Sequence, residues 1–223
     1  MAAAVMAMSG QDAFKLLRVA KEGDTTKYKI SASMQIQGSD VQYSASVAEK
    51  VTKVDEKGNY TVESTVSDGK IKFGDQEMPT GDAGSTTVSK TTPTGELIEV
   101  TGEGVDDPAL RRSQLTQVVV PADEVKPGFK WSHESKAEKM NGNTAGKANY
   151  EIIGTEKVGS EDAIAIKFDF TETSGADPAS SEGKVWISPK DGSMIKLEAQ
   201  LKKAPIPEVP GGQVDMKITV EKA

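Results

Sequence analysis

Apolar and polar residues alternate along most of this chain with a period of two, the spacing of a strand with one face on a core and the other in water. Tyr28, Ile30, Ala32, Met34 and Ile36 are separated by Lys29, Ser31, Ser33 and Gln35, and after Gly38-Ser39-Asp40 the pattern resumes with Val41, Tyr43, Ala45 and Val47. The two segments are predicted to pair as a hairpin. A turn at Gly58-Asn59 then divides Val51 and Val54 from Tyr60, Val62, Ser64 and Val66. A similar arrangement follows later: Tyr150 and Ile152, a turn at Gly159-Ser160, then Ile164, Ile166, Phe168 and Phe170.

Other stretches break the alternation. Asp106-Asp107-Pro108-Ala109-Leu110-Arg111-Arg112-Ser113-Gln114-Leu115 predicts a helix, with capping aspartates, proline in the first turn and basic residues toward the far end of the helix dipole. Val118-Val119-Val120-Pro121 reads as a short buried strand. Pro79 to Ser85 and Ser174 to Gly183 carry no periodicity and read as exposed loops. The prolines of Ala204 to Gly212 lack ladder donors, so this segment reads as a loop before a final strand on Val214, Met216, Ile218 and Val220.

The same order of signals occurs twice. Lys21-Glu22-Gly23-Asp24 leads into the strand at Tyr28, and Lys126-Pro127-Gly128-Phe129 leads into Trp131. Later, Gly95-Glu96-Leu97-Ile98-Glu99-Val100 is matched by Gly192-Ser193-Met194-Ile195-Lys196-Leu197. The glycines lie 105 residues apart in the first pair and 97 in the second. The pattern predicts a mainly β protein of two similar halves, built as one curved antiparallel sheet or two lobes, with a short linking helix. The expected divisions are residues 1–11 as an export-signal remnant or disordered terminus, 12–104 as the first β repeat, 105–117 as the linking helix and 118–223 as the second β repeat.

Composition narrows the chemistry. With 36% hydrophobic and 27% charged residues, the apolar side chains cover one sheet face more readily than two, which favours antiparallel strands with a wet side. A net charge of −7 without a basic cluster argues against nucleic acid and anionic membranes as partners. The absence of cysteine excludes disulfides, thiolate catalysis and cysteine zinc sites, and a single histidine, His133, excludes a multi-histidine metal centre. Met1 to Met8 is an apolar run, and Ala7-Met8-Ser9 has the small-x-small spacing of a signal cleavage site; a frayed helical terminus explains it equally well. No stretch approaches the roughly 18 apolar residues of a membrane span.

Candidate chemistry is sparse. Ser132-His133-Glu134-Ser135 holds a nucleophile, a base and an acid, but on a strand His133 faces away from Ser132 and Glu134, so a hydrolase is the weakest reading. Asp106 and Asp107 read as helix caps rather than cation ligands, and Asp55-Glu56-Lys57-Gly58 as a charged turn rather than a calcium loop. The aromatic residues Trp131, Trp186, Phe168 and Phe170 concentrate in the second half. They read either as packed core or as the lining of an apolar concavity left open by a curved sheet.

Val118 to Leu201 resembles a recurring type of uncharacterised exported bacterial protein. The likeness lies in Val125-Lys126-Pro127-Gly128 and Trp131, in Tyr150 with Glu156, and in Val185-Trp186-Ile187-Ser188 with Asp191-Gly192 and Ile195. Leu16-Leu17-Arg18 to Gly23-Asp24 and Tyr28 are similar to the opening of such proteins. The resemblance implies a curved antiparallel half-barrel similar to the lipoprotein-carrier and lipid-carrier folds of the bacterial envelope, with no catalytic residues to carry over. The expected function is that of a non-catalytic exported binding protein, periplasmic or secreted. It would hold a hydrophobic small molecule or lipid on the concave sheet, with Trp131, Trp186, Phe168 and Phe170 facing the ligand, and would need no cofactor or metal. The alternative is a structural or protein-interaction module that engages another envelope protein and has no small-molecule site.

Overall fold

The computed structural model describes residues 13–137, 144–206, 209 and 212–223. The expected export-signal segment therefore lies outside the described residues. Six strands precede the helix: β1 (Thr25–Ile36), β2 (Ser39–Val54), β3 (Tyr60–Phe73), β4 (Gln76–Pro79), β5 (Thr86–Thr91) and β6 (Leu97–Gly102). The helix α1 (Asp107–Gln114) is followed by β7 (Lys130–Ser135), β8 (Gly146–Val158), β9 (Glu161–Glu172), β10 (Ser180–Ile187), β11 (Met194–Pro205) and β12 (Gln213–Lys222). All belong to one open, curved antiparallel sheet, in the order β6-β5-β3-β2-β1-β12-β11-β10-β9-β8-β7, with β4 paired to β3 off this path. Strands β1 and β12 meet at its middle, Tyr28 opposite Lys222 and Met34 opposite Met216.

The alternation of the sequence is realised in the register. The β1–β2 hairpin turns through Gln37 and Gly38, both at positive φ (51° and 79°), as a tight two-residue turn requires. Tyr28 lies across from Val47, Ala32 from Tyr43 and Met34 from Val41, so the apolar side chains share one face while Lys29, Ser31 and Ser33 are exposed on the other. Asp55 closes the next turn by accepting from the Lys57 and Asn59 amides and the Asn59 side chain.

Several backbone details occur in both halves. The Gly23 amide donates to the Val51 carbonyl at 2.9 Å, and the Gly128 amide to that of Ile152 at 2.8 Å. The β2–β3 ladder slips between Val51 and Lys53, and the β8–β9 ladder between Ile152 and Gly154. Ile98 is skipped in the β5–β6 pairing and Ile195 in the β10–β11 pairing. Each bulge inserts a residue that turns its strand and deepens the local twist.

The main core lies on the second half. Phe168, Phe170, Ile164, Ile166, Leu197 and Leu201 pack beneath Leu115, Leu16, Val120 and Val125, which arrive from the linking segments. The helix is held there by Arg111, which pairs with the buried Glu172, and by Arg112 Nη1, which donates to the Pro205 carbonyl at 2.6 Å. Gln114 bonds to Ser135 and Thr144, and the Ser181 hydroxyl donates to the Leu115 carbonyl. Of β1 to β6, only Met34 and Ile36 touch this core, and both are partly buried. The concave face is thus covered over β8 to β12 and much less so over β2 to β6.

The helix begins where its cap and proline predict: Asp106 accepts from the Ala109 amide at 2.7 Å. Asp106→Ala is expected to cost about 1 kcal/mol, read as a lowered melting temperature. Three sequence expectations are corrected. Val118 to Val120 lies outside the sheet, with Val119 and Val120 buried and Val118 partly so, because its backbone is engaged by Thr94, Tyr150 and Trp131 instead of a strand. Ser180 to Gly183 begins β10 instead of ending a loop. Ala204 and Pro205 end β11; there β11 has run past the start of β10 and pairs only with β12, so no ladder donor is missed at the proline. The rest of that predicted loop lies partly outside the described residues.

Candidate functional site

Two leader segments cross the concave face. The first, Leu16 to Val19, precedes the Gly23 turn; the Arg18 amide donates to Pro93 at 2.9 Å and the Val19 amide to Asp191 at 2.8 Å. The second, Val118 to Val120, precedes the Gly128 turn, and the Val120 amide donates to Thr94 at 2.8 Å. Each passes directly over a turn glycine of the opposite half. The carbonyls of Leu16 and Leu17 occupy the space a Cβ on Gly192 would need, and the Val118 carbonyl that of one on Gly95. The leaders also join each other, Phe14 and Val125 exchanging both backbone hydrogen bonds.

Beneath them a cavity of about 290 Å³ remains between the sheet and the covering segments. It sits where the cover of the second half runs out. Leu16, Val51, Val62, Val118, Ile187 and Leu197 supply apolar wall. Among its polar groups are Arg18 from the leader, Tyr28 from β1, Glu49 from β2 and Tyr60 from β3, with Asp24, Gln117, Ser193 and several threonines completing the lining. Glu49 is in phase with Val47 and Val51 on the apolar face, flanked by Thr26 of β1 and Ser64 of β3.

The electrostatics are uneven. The Arg18 guanidinium lies 3.2 Å from a carboxylate oxygen of Asp191 and 3.7 Å from one of Asp24, so its charge is already met. Burial pushes the Glu49 carboxyl above its ordinary value, and the charge of Arg18 only partly opposes this. Burial likewise raises Tyr28 and Tyr60, both in the field of Glu49. The Tyr28 hydroxyl donates to the Met194 carbonyl at 3.2 Å. Asp191 lies below its usual range: burial pushes it up, but bonds to Ser193 and Ser188 and the charge of Arg18 outweigh that.

The four aromatics expected to face a ligand do not border this cavity. Phe168 and Phe170 are buried in the main core. Trp131 stacks on Tyr150, centroids 5.0 Å apart, and donates its indole N–H to the Val119 carbonyl at 2.8 Å. Trp186 lies on the opposite face with Ala163, Ala165 and Ile195, Lys184 Nζ standing 4.5 Å above its ring. The sequence reading missed Glu49 and Arg18. The signal for Glu49 was present, since it is the one acid in step with the run Val41, Tyr43, Ala45, Val47, Val51.

His133 is half-buried on the concave face with Nδ1 3.7 Å from Glu96 Oε1, while Ser132 and Glu134 are exposed on the other side. No triad is assembled there from its sequence neighbours. Among the described residues no cluster of His, Asp and Glu suits a metal ion, and no helix is long and apolar enough to cross a membrane.

No protein-family model matches the chain, and no curated protein matches it. Solved structures similar to it include a presumed exported protein of YmcC-like fold from Bacteroides fragilis, at 13% identity and a TM-score of 0.38, covering 94% of this chain and 98% of that one. A presumed lipoprotein from Parabacteroides distasonis aligns at 11% identity and a TM-score of 0.36, covering 96% of this chain and all of the other. A DUF1329 family protein from Desulfovibrio piger aligns at 8% identity and a TM-score of 0.31, covering 90% and 86%. At these TM-scores the likenesses carry no activity, ligand or location over to this chain.

Proposed function

We propose that the protein is a non-catalytic binding protein of the bacterial envelope that holds a small hydrophobic ligand beneath its two leader segments. The observation that carries this reading is the cavity of about 290 Å³, whose wall combines aliphatic side chains with polar and charged groups. That volume lies just below the roughly 300–1,000 Å³ typical of small-molecule sites, and apolar wall combined with polar groups is their usual chemistry. The envelope location, periplasmic or secreted, rests on the resemblance of the sequence to exported bacterial proteins. The same reading takes residues 12–104 and 118–223 as copies of one unit; the paired bulges and turn bonds support it.

Calorimetric titration with 1-octanol tests the proposal. Saturable binding is expected, and Val62→Phe, which fills the cavity from β3, is expected to weaken it about tenfold or more while the fold is retained. Failure of octyl compounds to bind at all would remove the ligand reading. An interaction module without a ligand is the second reading. It is favoured by Phe73, Met78, Val88 and Ile98, large apolar side chains exposed in the first half.

A further inference from the structure

Resting on the ligand reading above, we propose that the cavity selects a small amphiphile whose polar end is cationic, an alkylammonium or its like, paired with the carboxylate of Glu49. Three observations converge on this. First, the side chain of the half-buried Glu49 makes no hydrogen bond or ion pair with any described residue, although it projects from the apolar face of β2 into the cavity wall. A charged group in such surroundings is costly unless a partner arrives.

Second, the partner is not supplied by the protein. Arg18 is the only cation among the described residues lining the cavity, and it is held by Asp191 at 3.2 Å and Asp24 at 3.7 Å, with further bonds to the Val19 and Asp191 carbonyls. Counting Glu49, Asp24 and Asp191 against Arg18, the charges at this end of the cavity are three acids to one base. An anionic head would meet an already satisfied guanidinium and the field of Glu49. A cationic head would complete the imbalance.

Third, the polar side chains nearest Glu49 are arranged for a donor. Thr26 and Ser64 are the cross-strand neighbours of Glu49, Thr26 lines the cavity with it, and Tyr60 faces the same cavity with its hydroxyl bonded to no described residue. An ammonium group carries three donors and no acceptor, so a carboxylate flanked by hydroxyl oxygens is a complementary receptor. The aliphatic wall of Leu16, Val62, Ile187 and Leu197 then takes the tail. The volume limits that tail to a short chain, which excludes a diacyl lipid.

The test compares three eight-carbon probes, octylamine, 1-octanol and octanoate, by calorimetric titration of the wild-type protein and of Glu49→Gln. Octylamine is expected to bind at least about tenfold more tightly than octanol, with octanoate weakest, and Glu49→Gln is expected to remove the preference of octylamine over octanol. The substitution deletes a charge that lacks a partner, so the variant is expected to melt no lower than wild type. The ranking in wild-type protein stands as a test even without the variant. Equal binding of all three probes, or a preference that survives Glu49→Gln, overturns the cation proposal and leaves the ligand reading in place. Binding of none overturns both.

Discussion

Arg111→Ala is expected to lose about 3 kcal/mol of stability near neutral pH, and the deficit should shrink on acidification. Arg111 binds both carboxylate oxygens of Glu172, whose side chain is 1% exposed, while the arginine itself remains a quarter open to solvent. Removing it strands a buried charge whose remaining partners, the Ala179 amide and the Thr144 hydroxyl, cannot neutralise it. In the native protein burial pushes the Glu172 carboxyl up, but Arg111 and the other donors hold it below its ordinary 4.5. A carboxylate with a depressed native value stabilises the fold above its unfolded value, and that contribution fades as pH falls through the native value. Without Arg111 burial prevails, the native value rises above the unfolded one, and the destabilisation present at neutral pH is relieved in acid. Urea unfolding at about pH 7 and about pH 4 checks the difference. A loss equal at both would mean that the pair contributes only packing.

Gly192→Ala and Gly95→Ala should each cost about 2–4 kcal/mol, while Gly38→Ala should cost only about 1–2 kcal/mol. All three glycines have positive φ, 66°, 95° and 79° respectively, so each loses the left-handed conformation that a side chain disfavours. Only at Gly192 and Gly95 does a leader carbonyl also fill the place of the new Cβ; around Gly38 the space is open. The excess over Gly38→Ala therefore measures how closely the leaders are pressed onto the turns. Chemical denaturation reads the cost, and limited proteolysis at Leu16 to Val19 reads whether the leader has lifted. Identical costs at the three positions would show that the close approach contributes nothing.

The strands were legible where one face only is buried. The run from Tyr28 to Val47 declares its phase because every second residue is polar, and the helix declares itself through Asp106 and Pro108. Val185-Trp186-Ile187 was ambiguous, being apolar throughout, and the phase that sends Val185 inward sends Trp186 to the opposite face. Phe168 and Phe170 follow Ile164 and Ile166 in step, a pattern shared by a filled core and a ligand wall; what separates the two is the cover from Leu115 and Leu16, segments far away in sequence. The cavity depends on the same distant cover. Arg18 reaches it only because its leader rests on a turn at Asp191, and nothing local in Leu16-Leu17-Arg18 encodes that meeting.

The pairing of β1 with β12 ties the order of synthesis to the order of folding. A ribosome delivers β1 early, yet one side of β1 has no partner until β12 has emerged, since no other strand borders that side. The nascent chain must therefore carry Ile30, Ala32 and Met34 beside a bare strand edge until β12 has been made. Their cross-strand neighbours Val220, Ile218 and Met216 arrive only afterward. A partner of such sequence separation makes closure slow and leaves the unfinished ribbon open to mispairing, which is the condition under which holding chaperones matter most.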